Sequence, residues 1–135
     1  MVFFIKLDTM KVLRKIDLGI GVLEFFENHV LGYVNPGVNF DQKERQLFLE
    51  ACLVHFDDKP FGYVSVRKHS YSINPLIYSE LNTVPSLKAF AIVSFSNICT
   101  GNAEIEERFY KKPFAIFKST DEAQEWISTT VASFK

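Results

Sequence analysis

Two polar clusters in the second half of the chain hold the residues whose types could do chemistry. Arg67-Lys68-His69-Ser70-Tyr71-Ser72 brings a guanidinium, an imidazole and two serine hydroxyls close together, and Ser94-Phe95-Ser96-Asn97 adds two hydroxyls and an amide. Each cluster ends an apolar run that reads as a strand, Phe61–Arg67 and Lys88–Phe95. In parallel α/β sheets, ligands sit beyond the carboxyl ends of the strands, where such loops converge. If these strands are neighbours, Arg67, His69, Ser70, Tyr71, Ser72, Ser94, Ser96 and Asn97 can line one pocket. An anion there would also meet free amides at the start of a helix expected after Asn74-Pro75. The competing reading is local, because Ser and Asn in loops commonly satisfy nearby backbone groups.

Other residue types suggest less. His69 beside Ser70 has the makings of a base and a nucleophile, but neighbours in a loop rarely hold that geometry and no third group orients them. A non-enzyme is therefore expected. His29 and His55 lack partners at ligand spacing, so no metal site is expected. Cys99, in the apparent loop Asn97-Ile98-Cys99-Thr100-Gly101, has no obvious activating neighbour. Gly19-Ile20-Gly21 lacks the third glycine of a dinucleotide fingerprint and reads as a bulge or bend. Glu104, Glu106 and Glu107 read as solvated carboxylates on a short exposed helix beside Arg108. No cofactor is implied.

The elements that position these residues can be read in order. Val12, Leu13 and Ile16 lie among basic residues in a strand-rich start. Ile20–Phe26 and His29–Val34 form a hairpin around Glu27-Asn28, ended by Asn35-Pro36-Gly37. Asp41 and Glu44 have the spacing of a capping box, followed by a helix with Leu47, Phe48, Ala51 and Cys52 on one face, widened by Leu53 and Phe56. Asn74-Pro75 reads as cap and first residue of a short helix, Leu76–Leu81. Leu87–Val93 is a nearly continuous apolar strand of the kind covered on both faces. A short helix then holds Ile105 and Phe109, and Phe114–Lys118 is the last strand. Ser119 and Glu122 cap a final helix with Ala123, Trp126, Ile127, Thr130, Val131 and Phe134 on its apolar stripe. Alternating strands and helices predict an α/β fold, a largely parallel or mixed sheet with an N-terminal hairpin and helices covering it.

Bulk properties narrow the class. The 135 residues suit one domain, 1–135, with a substantial core. With 47% hydrophobic and 23% charged residues the chain is not of disordered type. Fifteen basic against 16 acidic residues give a net charge of −1, without the basic excess of nucleic-acid binders. Arg14-Lys15, Arg67-Lys68 and Lys111-Lys112 read as solvated faces. Met1–Lys6 is too short an apolar run for a signal peptide, and no run approaches the ~20 residues of a membrane helix. Two distant cysteines, Cys52 and Cys99, suggest no disulfide, so a cytoplasmic location is expected.

The segments Lys59–Tyr63, Tyr71–Pro75 with Tyr78, Leu87–Val93, Lys112–Phe117 and Ala123–Trp126, in this order, resemble the SpoIIAA-like group. That group is related to the STAS domains of anti-sigma-factor antagonists and to the SEC14 (CRAL-TRIO) lipid-binding fold. The resemblance covers about the last 120 residues by arrangement and rests on core patterns, which identify a fold better than a function. It implies a non-enzymatic cytoplasmic regulatory module acting through a protein partner, or alternatively a carrier or sensor of a small apolar, lipid-like ligand. Anti-sigma antagonists carry a phosphorylated serine in an Asp-Ser motif. The corresponding stretch here is Ser70–Pro75, which has serines without that motif. Ser70 or Ser72 is thus the expected phosphorylation site, acting through charge at a helix start. A homodimer would be the commonest oligomer, and the 14 phenylalanines are enough to leave some at a binding surface or cavity.

Overall fold

The computed structural model describes residues 11–69 and 72–134. The readings of Met1–Lys6, Ser70 and Tyr71 lie outside the described residues. Strands β1 (Arg14–Asp17), β2 (Gly21–Phe25) and β3 (His29–Val34) form an antiparallel meander. Asp17 Oδ1 accepts from the Gly19 amide at 2.8 Å, and Gly19 takes φ 85° in the β1–β2 turn, so that glycine marks the expected bend. The β2–β3 turn falls at Glu27-Asn28 as its sequence suggests, closed by the Phe26 amide donating to His29 O at 2.8 Å.

The chain then alternates. β4 (Asn39–Phe40) precedes α1 (Gln42–Phe56); β5 (Phe61–Arg67) and β6 (Ser72–Ile73) precede α2 (Ile77–Leu81). β7 (Leu87–Ser94), α3 (Asn97–Glu107), β8 (Phe114–Phe117) and α4 (Thr120–Ala132) complete it. The six-stranded sheet has the order β1-β2-β3-β5-β7-β8, parallel from β3 onward. β4 and β6 pair separately as a two-stranded parallel ribbon, which the sequence reading did not contain.

Both strongest helix starts form as their sequences dictate. Asp41 Oδ1 accepts from the Gln42 amide at 2.8 Å while Glu44 Oε1 accepts from the Asp41 amide at 3.0 Å. Ser119 Oγ accepts from the Glu122 amide at 3.2 Å. Three expectations need correction. Asn74 does not cap a helix beginning at Pro75: its Oδ1 accepts from Leu76 N, and α2 starts at Ile77. α3 begins at Asn97 rather than after a loop, so Cys99 stands in its first turn and Phe109 lies beyond its end. Lys112 is not a solvated charge, since its Nζ donates to the carbonyls of Val84 (2.6 Å) and Leu87 (2.7 Å). Burial, then the nearby Lys88, lowers its pKa.

Strand alternation divides the core in two. Phe61, Tyr63, Ser65 and Arg67 of β5 face α1, α2 and α3, with Phe48, Cys52, Phe56, Tyr78 and Ala103 beneath those helices. Val64 and Val66, with Ala89, Ala91 and Val93 of β7, face Ala123, Ile127 and Val131 of α4. The small side chains on this second face let α4 lie close to the sheet. Gly62 marks the nearest approach, because a Cβ there would collide with the Ile127 side chain. Gly62→Ala is expected to lower unfolding stability by about 1–3 kcal/mol through overpacking, measured by denaturant titration; an unchanged midpoint would show that α4 can shift outward freely.

Candidate functional site

β5 and β7 are neighbours, and their register pairs Arg67 directly with Ser94. The carboxyl ends of these strands therefore meet, as the sequence reading required for a shared site. Beyond them lies an open groove of about 820 Å³, lined by Arg67, Lys68, His69, Ser72, Phe95, Ser96 and the inner stripe of α3.

Its floor is a buried ionic cluster. Arg67 Nη1 donates to Glu106 Oε2 at 2.5 Å, and Nη2 donates to Oε1 at 2.6 Å. Arg67 Nε donates to Ser65 Oγ at 3.2 Å, and the Tyr78 hydroxyl donates to Glu106 Oε1 at 2.7 Å. Relative exposure is 7% for Arg67 and 3% for Glu106, so this is a two-pronged ion pair removed from water. Two sequence readings are overturned here. Arg67 is not part of a solvated basic patch, and Glu106 is not a solvated carboxylate explained by Arg108. The helical period turns Glu106 inward beside Ala103 while Glu104 and Glu107 remain exposed.

The other predicted site residues divide. His69, Ser72 and Ser96 reach the groove with Arg67, whereas Ser94 and Asn97 do not line it. Ser94 is buried; its hydroxyl donates to Ser96 O at 3.0 Å and lies 2.8 Å from Thr100 Oγ1. Ser96 is the N-cap of α3, its Oγ accepting from the Cys99 amide at 3.1 Å. Asn97 is the exposed first residue of that helix. These three positions build a helix start, which is the local alternative that the sequence left open. Ser72 is exposed, but it stands on β6 with its hydroxyl donating to Asn39 Oδ1. It is therefore not at a helix start, and a phosphate on it would act on the β4–β6 pairing instead. Ser70 and Tyr71 lie outside the described residues.

The rim is apolar. Phe95 is 56% exposed, Ile98 82% and Ile105 49%, all bordering the same groove. Ile98 and Ile105 sit seven residues apart on α3 and share its groove face. Sequence reasoning missed Ile98 because it placed the segment in a loop, where an isolated apolar residue carries no facial information. Exposed apolar side chains gathered at one place characterise recognition surfaces.

A second feature lies deeper. A cavity of about 40 Å³ sits between the sheet and α1, lined mainly by apolar side chains including Phe40, Phe48, Cys52, Ile77 and Leu81. That volume can hold a water-sized guest, but it is well below the ~150 Å³ reported for a protein cavity that accepts benzene. Among the described residues, no three His, Cys, Asp or Glu side chains are grouped to hold a metal ion, and no helix is long and apolar enough to cross a membrane.

No protein-family model matches the chain, and no curated protein matches it significantly in sequence. A solved structure is similar in fold: an uncharacterized protein from the DUF3478 family with a SpoIIAA-like fold, from Shewanella loihica PV-4. The two share 11% identity with a TM-score of 0.55, over 79% of this chain and 91% of that one. The fold is thus SpoIIAA-like, in agreement with the sequence resemblance. At this identity the likeness concerns the fold alone.

Proposed function

We propose that this chain is a non-enzymatic binding module that acts through a protein partner docked on the groove at the carboxyl ends of β5 and β7. The observation that carries this reading is the rim of exposed Phe95, Ile98 and Ile105 around a floor whose charges already neutralise one another. Arg67 and Glu106, held by each other, are poorly suited to serve as a free anion receptor or a general base. An apolar rim instead favours a partner presenting apolar side chains of its own. Phosphorylation at Ser70 or Ser72 is its proposed control, and at Ser72 the added charge would compete with the Asn39 contact that holds β6 to β4. The compartment proposed is the cytoplasm, which suits two free cysteines.

The test is native mass spectrometry of the tagged chain recovered from its own cells, beside a Phe95→Ser/Ile98→Asp variant. A stoichiometric protein partner with the parent chain, reduced at least tenfold in the variant, supports the groove as docking surface. A bare chain, or a partner retained equally by the variant, overturns it. The same spectra locate any phosphate, and partner binding unchanged by alanine at both Ser70 and Ser72 would remove the proposed control.

The alternative reading is a carrier of a small apolar ligand, favoured by the cavity beneath α1. At about 40 Å³ that cavity needs α1 or the β4–β6 ribbon to move outward before it could admit a lipid chain. A non-covalent small-molecule mass without a protein partner would place this reading first.

A further inference from the structure

The two edges of the six-stranded sheet are treated differently by the sequence. β1, at one edge, reads Arg-Lys-Ile-Asp, and three charged residues in four discourage pairing with another chain. β8, at the other edge, reads Phe-Ala-Ile-Phe, with no charge, proline or bulge within it. Edge strands of that composition are usually shielded, because their free amides and carbonyls can template a further strand.

The register identifies the free groups. Phe90 pairs with Phe114, and the Phe90 amide donates to Pro113 O at 3.0 Å. In a parallel ladder this directs the backbone groups of Pro113, Ala115 and Phe117 toward β7, and those of Phe114 and Ile116 outward. Among the described residues, no backbone or side-chain group bonds to those outward amides and carbonyls.

Charge selects the occupant. Lys111 and Lys118 bracket the strand, both exposed and, among the described residues, in no ion pair. A second copy paired antiparallel through β8 would set Lys118 against the Lys111 end of its neighbour, so like charges oppose that dimer. We infer that the β8 edge accepts an extended segment of a different protein, with apolar or β-branched residues at its centre and acidic residues at its ends. This is strand addition, in which main-chain hydrogen bonds supply affinity and the flanking charges set the choice of partner. It is a different surface from the groove, and either can fail without the other.

A suitable probe is a blocked nonapeptide of alternating Val and Thr carrying two Glu at each end. Titrated into the ¹⁵N-labelled chain, it should shift the amides of Phe114 and Ile116 and slow their hydrogen exchange at least tenfold. Lys111→Glu with Lys118→Glu should weaken the probe about tenfold and favour a peptide ending in Lys instead. Ile116→Pro removes an outward amide without breaking the ladder to β7, and should abolish binding while the Ile92 amide, which the register directs toward β8, stays protected. Strong protection of Phe114 and Ile116 in the free chain overturns the inference. So do shifts confined to the groove or to β1, absence of binding at millimolar peptide, or indifference to the charge reversal.

Discussion

Replacing Glu106 by alanine is expected to destabilise the fold by about 3–5 kcal/mol, the range found when one partner of a buried ion pair is removed. The Arg67 guanidinium would be left at 7% exposure without the carboxylate that takes two of its donors. The Tyr78 hydroxyl, on a fully buried ring, loses its acceptor in the same step. Chemical denaturation of the single variant and of the pair Arg67→Met/Glu106→Leu separates two meanings of the result. Recovery of most of the lost stability in the double variant would show that the charges serve register and orientation, because well-packed apolar replacements of such pairs are often neutral or better. A single variant as stable as the parent would contradict the burial of this cluster. The pair joins the end of β5 to α3, so its loss is also expected to loosen the floor beneath the proposed docking groove.

Lowering the pH from 7 to 4 is expected to remove about 3 kcal/mol through His29 alone. Its ring is fully buried and stacks on Phe26 at 4.7 Å. Asn28 Nδ2 donates to Ser128 O at 3.0 Å, which turns Asn28 Oδ1 toward His29 Nδ1 at 3.0 Å. Nδ1 therefore carries the proton, and Nε2 accepts from Gln124 Nε2 at 3.1 Å. Burial holds the imidazole neutral and lowers its pKa from 6.5 to about 4. The unfolded chain binds this proton near pH 6.5 while the folded chain resists until about pH 4, so stability falls as pH drops across that window. At ~1.4 kcal/mol per unit the shift gives the quoted size. His55, lowered by burial and then by Arg14, pulls in the same direction from the other face. Denaturant titrations at pH 7 and pH 4 on the parent and on His29→Gln isolate the effect. The variant should lose distinctly less stability between the two values; an equal loss would assign the acid sensitivity to other groups.

These residues also show how far the chain could be read in advance. The capping box at Asp41, the N-cap at Ser119, the turn at Glu27-Asn28 and the alternation of strands and helices depend on neighbours within a few positions, so the sequence alone determined them and with them the SpoIIAA-like α/β arrangement. The length of α3 was misread because Thr100 and Gly101 are poor helix formers, whereas burial of Ala103 against the sheet overrides their preference. Glu106 is chemically indistinguishable from Glu104 and Glu107 in the chain. Only its place on the helix and the arrival of Arg67, 39 residues earlier in sequence, make it the buried one. Likewise β4 and β6 are two residues each, too short for any period, and exist because separate segments meet. Local preference thus chose the elements and their order. Tertiary packing decided which polar groups are satisfied inside, and which apolar ones are left at the groove and at the β8 edge, because those outcomes depend on contacts between residues far apart in the chain.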